Sequence, residues 1–452
     1  MDDAELQRLA AYDRDHLIHP QYFPADHRDA VIFVSGDGAM LRDARGREYI
    51  DGLSSLWNVA VGHGRRELGA AAAAQMSELA FANSYTGYAN IPSIRLTERL
   101  LGLLGPAMSG VFFANSGSEA NDMAVKAARY FWFVSGKPDK AKIISRDEAY
   151  HGSTMATTAM TGMAPFHRGF GAEPPDFVQV PTCYPYRCQW CASKPACTLE
   201  CADNIATVIE REGREKVAAV IAEPVHGAGG VIPPDPGYWP RLREICDRYE
   251  VLLIADEVIT GFGRTGRWFA LEHWGVRADI VTIAKAVTSA YVPLSAFIVN
   301  ERVHRAFLEA PADTKFMVGC TNAAHPTACA VALRNLQIFD DERLVERAER
   351  MGRRLNEGLE RLREMPNVGE VRGLGLMAAV EVVADRETRA PFAAGRGVGA
   401  KLVRALRERG VVTRAKGESI LYAPPLVISE SQIDSIVNAT GDAIDEVVRG
   451  AG

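Results

Sequence analysis

The sequence predicts an α/β fold with a mostly parallel central sheet and a smaller α+β domain, on three observations. Short apolar runs at residues 217–222 (VAAVIA), 251–255 (VLLIA) and 279–284 (DIVTIA) end at Glu223, Asp256 and Lys285. Runs of this length, rich in branched residues and bounded by polar ones, read as parallel strands buried on both faces. At residues 111–119 another apolar run passes through Ser116-Gly117-Ser118 into a helical pattern. From about Ala323 the composition shifts to charged, amphipathic helices, the pattern of a separate solvated layer.

The 452 residues, 47% hydrophobic and 24% charged, suit a soluble globular protein of about two domains. A net charge of -6 leaves no basic footprint for nucleic acid. Apolar runs are too short and broken to span a bilayer. The opening MDDAELQRLAAYDRD lacks the basic start and apolar core of a signal peptide, so the expected location is cytoplasmic.

Taken in order, residues up to about 30 read as an irregular arm, because His19-Pro20 and Phe23-Pro24 prevent a continuous helix. Alternation and turns at SGDG and DARG predict a small antiparallel meander. Helices follow over 65–80 and 92–104, then a strand at 111–114, a helix from near Glu119, and a strand at 141–145. A helix over 201–211 precedes the buried strands. Residues 326–452 complete the α+β domain with helices, the strand region VGEVRGLGLMAAVEVV, a helix to Arg409, the strand region VVTRAKGESILYAPPL and a last amphipathic helix.

In an open α/β sheet the ligand crevice lies outside the carboxyl ends of the strands, so Asp256 and Lys285 are expected in one site. A desolvated lysine is a competent nucleophile toward an aldehyde cofactor, and a carboxylate beside a pyridine nitrogen keeps that nitrogen protonated. A lysine after a strand is also a common solvated loop residue, and an acid pair there also caps helices or binds metals. Ser116, Gly117 and Ser118 offer free N–H groups at a helix start, either for a phosphate or simply as an N-cap. Tyr150 is a core aromatic or a ring that stacks on a flat ligand, and Trp57 a core aromatic or a pocket wall.

DEVITGFGRTG followed by Lys285, together with NSGSEAND, YHGS, EPVHGAGG and TRAKGESILYAPPL in that order, resembles the class III pyridoxal-phosphate aminotransferases, or ω-aminotransferases. The likeness runs from about Leu17 to the C-terminal helix. It implies the type I fold, with residues 1–60 as an arm and meander of the small domain, 61–325 as the large cofactor-binding domain, and 326–452 as the C-terminal small domain. It also implies pyridoxal 5'-phosphate held by Lys285 as a Schiff base, with Asp256 at the ring nitrogen. Ser116, Gly117 and Ser118 would take the phosphate, Tyr150 would stack on the ring with His151 beside it, and Glu223 would lie near the ring hydroxyl. Val258 completes the cofactor set, and Thr321 would reach the phosphate of a neighbouring subunit. Trp57, Tyr85, Ala228 and Arg414 would form the substrate pocket, Arg414 as a mobile partner for a carboxylate. The ornithine and γ-aminobutyrate branches carry glutamate where this chain has Ala228, so those branches are disfavoured. The implied reaction moves an amino group from an ω-amino acid or amine to an α-keto acid, pyruvate first, by a ping-pong cycle. A homodimer with shared sites follows, with a tetramer as the larger alternative. A decarboxylase or aminomutase of the same fold is the alternative enzyme.

Three features stand apart from this pattern. Where the family has glycine after the lysine and again before the aromatic residue, this chain has Ala286 and Ala290, and alanine replaces glycine comfortably only at negative φ. GFGRTG fits a dinucleotide fingerprint literally, but it does not open a helix early in a βαβ unit. Five of the eight cysteines fall within 183–201, including one C-x2-C. Bound metal, a disulfide and an insertion loop of reduced thiols are the three readings, the last expected and no metal assigned. His226 is read as a loop residue.

Overall fold

The computed structural model describes residues 2–21, 23–27, 30–194, 196–393 and 395–449. Three sheets organise it. The meander forms as expected: β1 (Phe33–Asp37), β2 (Met40–Asp43) and β3 (Glu48–Asp51) pair in antiparallel order. The central sheet contains β4 (Met108–Ala114), β5 (Lys142–Arg146), β6 (Phe177–Val180), β7 (Val217–Ala222), β8 (Leu252–Asp256), β9 (Ile280–Ile283) and β10 (Ser295–Asn300). Its spatial order is β4-β10-β9-β8-β7-β5-β6. Later in the chain come β11 (Val368–Gly373), β12 (Ala378–Val382), β13 (Val411–Val412), β14 (Arg414–Lys416) and β15 (Ser419–Tyr422). The third sheet runs β11-β12-β15-β14, while β13 lies parallel to β3 and joins the end of the chain to its start.

Every residue of β7, β8 and β9 is buried. Alternation divides them between two faces. Ala219, Ile221, Leu252 and Ile254 pack with Ala124, Ala128 and Phe131 of the helix Gly117–Val134. Val220, Leu253 and Ala255 belong to the cluster that holds Ile205 and Ile209 of the helix Glu200–Glu212 and Leu242 and Ile245 of the helix Tyr238–Arg248. Apolar side chains on both faces explain why these runs are continuous in sequence rather than alternating.

The first 30 residues are not wholly irregular, contrary to the expectation. Asp3–His16 is a helix, capped by Asp2, whose carboxylate accepts the Glu5 N–H at 2.7 Å. Asp3 and Glu5 in its first turn and Arg14 and His16 in its last complement the helix dipole. Pro20 and Pro24 lie beyond its end, so they bound the helix without preventing it. None of its residues is buried.

The loop after β8 ties the central sheet to the chain's end. Arg264 is buried and donates to the carbonyls of Leu376 at 3.0 Å and Pro424 at 2.6 Å and to Ser54 Oγ at 3.0 Å. A buried guanidinium needs such partners, since an unmet charge there would be costly.

Candidate active site

Strands β5, β6, β7, β8 and β9 are mutually parallel, and β10 runs antiparallel to both β9 and β4. The turns that follow β4, β5, β7, β8 and β9 therefore open on one edge of the sheet. Those turns carry Ser116–Ser118, Tyr150 and His151, Glu223, Asp256 and Lys285. Asp256 pairs in register with Thr282, three residues before the lysine.

Asp256 is buried and held from several sides. Its Oδ2 accepts Asn121 Nδ2 at 2.8 Å and lies 2.7 Å from His151 Nδ1, while its Oδ1 accepts the Val258 N–H at 3.1 Å. Among the described residues, His151 Nε2 and Asn121 Oδ1 are buried without a partner. Glu223, also buried, accepts the N–H groups of Tyr150 at 3.0 Å and Gly227 at 2.8 Å. Burial pushes its carboxyl pKa up, against the pull of His151. The buried Arg146, at the end of β5, donates to the Glu223 carbonyl at 2.5 Å.

Lys285 takes φ +49, a left-handed conformation that costs a non-glycine residue of order 1–3 kcal/mol. Desolvation lowers its amine pKa, opposed by the charges of Asp256 and Glu223. Ser289 at φ +48 and Ala290 at φ +61 continue the strained turn. The alanine at 290 thus occupies the glycine-type conformation itself.

The helix Gly117–Val134 begins at the same edge. Ser116 Oγ accepts the Glu119 N–H at 3.2 Å as its N-cap, and Ser118 Oγ accepts the Ser153 N–H at 3.1 Å. A Cβ at Gly117 would stand 3.0 Å from Val258 Cγ1, and one at Gly152 only 2.4 Å from Ser118 Oγ. Glycine at these positions lets the two turns close on each other.

A cavity of about 500 Å³ opens above this edge. Trp57, Tyr150, Ala228, Lys285 and Arg414 all line it. Met163, Pro165, Phe166 and Ile259 supply apolar wall, while Gln21, Glu148 and Lys416 add polar groups that the sequence reading did not single out. Arg414 donates to Gln21 Oε1 at 3.0 Å, and Lys416 forms an ion pair with Glu148. Tyr85 and Thr321 are exposed and lie outside this cavity.

The remaining candidates resolve differently. His226 is buried, with Nε2 3.1 Å from Thr182 Oγ1. GFGRTG forms a folded-back loop in which Phe262 N–H donates to the Trp268 carbonyl at 2.6 Å, and it opens no helix. The eight cysteines are free thiols, four of the five in 183–201 are buried, and Cys191 Sγ lies 3.7 Å from Cys197 Sγ. Among the described residues no group of three potential ligands is placed to hold a metal ion. The insertion packs on the third sheet through Tyr184, which donates to Glu370 at 2.9 Å, and through Arg187 paired with Glu381.

Residues 22–444 match the family model of class III aminotransferases, and the chain belongs to that family. It is 36% identical over 447 residues to the putrescine–pyruvate aminotransferase of Pseudomonas aeruginosa, covering 98% of this chain and 97% of the relative. The diaminobutyrate–2-oxoglutarate transaminase of Halomonas elongata is 39% identical, covering 93% and 92%. Among solved structures, an (S)-enantioselective ω-transaminase from Thermomicrobium roseum superposes with a TM-score of 0.94 at 42% identity, covering 99% of both chains. The ω-transaminase of Pseudomonas jessenii in complex with PMP superposes with a TM-score of 0.93 at 38% identity, covering 98% of both. The fold is accordingly the type I fold, and the family depends on pyridoxal 5'-phosphate.

The residues present fit that cofactor. A buried carboxylate braced by Asn121 and His151 suits a protonated ring nitrogen, and an amine with a lowered pKa suits an aldehyde. A capped helix start whose first residue is glycine suits a phosphate. Asn121 was missed in the sequence, although its place one turn into the helix that follows Ser116, on the same face as Gly117, could have pointed to it.

Proposed function

We propose that this protein transfers an amino group from an ω-amino acid or amine to an α-keto acid, pyruvate in the first instance, in two half-reactions on one site. The observation that carries this reading is the single cavity lined together by Lys285, Tyr150, Trp57, Ala228 and Arg414. When bound, pyridoxal 5'-phosphate supplies an aldehyde for the amino group and an electron-poor ring. Ser116, Gly117 and Ser118 hold its phosphate, and Asp256 keeps its ring nitrogen protonated. Tyr150 and Val258 would help hold the ring and Glu223 its hydroxyl, while His151 braces Asp256. Lys285 would hold the cofactor's aldehyde, and its amine, when free, would take the proton from the substrate carbon. Arg414 receives the keto-acid carboxylate by a two-point contact and turns aside for an uncharged amine. Thr321, exposed in one chain, would reach the cofactor phosphate of a neighbour's site in a homodimer. The division at residues 60 and 325 separates the cofactor-binding part from the smaller part that carries Arg414.

The test is the visible spectrum of the purified protein with added pyridoxal phosphate. Amines are expected to bleach the cofactor band and pyruvate to restore it, with Lys285→Ala altering the band at the outset. Turnover of an amine without any keto acid, or release of carbon dioxide, would replace this reading with a decarboxylase or aminomutase.

A further inference from the structure

We propose that Glu148 is the acidic pole of the substrate cavity and that the preferred amino donors are α,ω-diamines, whose distal ammonium displaces Lys416 from the Glu148 carboxylate. This rests on the transaminase reading and names the donor class within it.

Among the described residues lining the cavity, Glu148 is the one carboxylate, whereas cations are supplied by Lys285, Arg414 and Lys416. A donor with a distal carboxylate has Arg414 to meet it. A monoamine needs no charged partner. Only a donor with a second ammonium has a use for Glu148, and nothing else on the wall, Ala228 included, would receive it.

The two members of the ion pair are held differently. Glu148 sits at φ +62, its N–H donates to the Gly162 carbonyl at 3.0 Å, and its own carbonyl lies against Gly229, where an added Cβ would stand 2.0 Å away. A left-handed glutamate locked in this way is strain of the kind that persists where a site needs it. Lys416 ends the short strand β14 on a flexible four-carbon stem. Side chains of the pair are 38% and 37% exposed, and partly exposed pairs are weakly held. The lysine can turn to water while the glutamate stays, so exchange of one ammonium for another is the motion that the geometry favours.

The test compares 1,4-diaminobutane, 1-aminobutane and 4-aminobutanoate as donors to pyruvate, in the holoenzyme of the wild type, Glu148→Gln and Lys416→Met. Wild type is expected to prefer the diamine over the monoamine by about tenfold or more in kcat/KM, the size of one charge-assisted contact. Glu148→Gln should remove most of that preference through the diamine's KM. Lys416→Met, by deleting the competitor, should increase it. Equal effects of Glu148→Gln on diamine and monoamine, or a wild-type preference for the monoamine or 4-aminobutanoate, would overturn the assignment. Should Glu148→Gln fail to fold, Lys416→Met decides alone, because an unchanged donor ratio in that variant also overturns it. Absence of transfer from the diamine, while some other amine bleaches the cofactor band and pyruvate restores it, would overturn this assignment alone; absence of bleaching by any amine would remove the transaminase reading, and this one with it.

Discussion

The two sides of the cavity are built on opposite terms. One side, the edge formed by the ends of β7, β8 and β9, presents Lys285 to the cavity, with Glu223 and Asp256 buried at the neighbouring strand ends, and every residue of the three strands is buried. The other, β14 with the loop after β5, presents Arg414, Lys416 and Glu148 from a three-residue edge strand and a half-buried turn. Asp256 and Glu223 on the first side are each fixed by two or more hydrogen bonds, whereas Arg414 and the Glu148–Lys416 pair on the second are held by one partner each that water can replace. The chemistry common to a family needs fixed charges, whereas a pocket that, as proposed, accepts an amine and then a keto acid needs movable ones. The contrast predicts that damage on the first side falls on every substrate alike and damage on the second sorts substrates from one another.

The strongest test of that contrast is Lys285→Ala, which should lower turnover by at least about a thousandfold with every donor, as removal of a proton-transfer group does. Steady-state rates with three unlike amines would show it, and donor-dependent losses would break the comparison. Glu257, buried behind the first side, accepts the N–H groups of Ala270 at 3.1 Å and Leu271 at 3.0 Å. Burial pushes its carboxyl pKa up from 4.5 to about 7. Because the folded form retains the proton that the unfolded chain releases, this group makes stability fall as pH rises from 4.5 to about 7. Glu257→Gln should flatten that decline, worth roughly 3 kcal/mol, in melting temperatures measured across the interval.

On the second side, Arg414→Ala should raise KM for pyruvate by about ten- to a hundredfold while leaving the amine half-reaction nearly unchanged, since in the proposed function only the keto acid uses the two-point contact. Stopped-flow measurement of the two half-reactions separates these effects. The smallest change is Ala290→Gly, expected to stabilise the fold by about 1 kcal/mol because glycine relieves the positive φ. Thermal unfolding with and without the substitution measures it, and a loss of stability would mean that the methyl group contributes more by packing than it costs in strain.

The fold was legible in the sequence wherever burial dictated pattern. Residues 217–222, 251–255 and 279–284 became three adjacent parallel strands because both faces of each are covered, and the meander followed from its turns. The N-terminal helix was not legible, since its stability comes from caps and end charges rather than an apolar stripe, and the nearby prolines drew the reading toward an irregular arm. Lys285, Tyr150, Trp57, Ala228 and Arg414 came together in one cavity from motifs far apart in the chain. Glu148 and Lys416 did not stand out, because a single charge on a loop looks solvated until a three-dimensional neighbour shows which surface it borders. The strain at Ala290 was equally hidden, since nothing in the residue itself marks a positive φ.

The reversed strand β10 has a consequence for how the molecule is made. Among the described residues β4 has no sheet neighbour except β10, and Ser295 at the start of β10 donates its hydroxyl to the Ser116 carbonyl at 2.7 Å. A chain emerging from the ribosome carries β4 and the helix start after it long before residues 295–300 exist to receive them. The turn at Ser116–Ser118 therefore acquires its support only after Asp256 and Lys285 have been synthesised, and a chain cut short before residue 295 leaves β4 as an unpaired edge, the kind of surface on which chains aggregate.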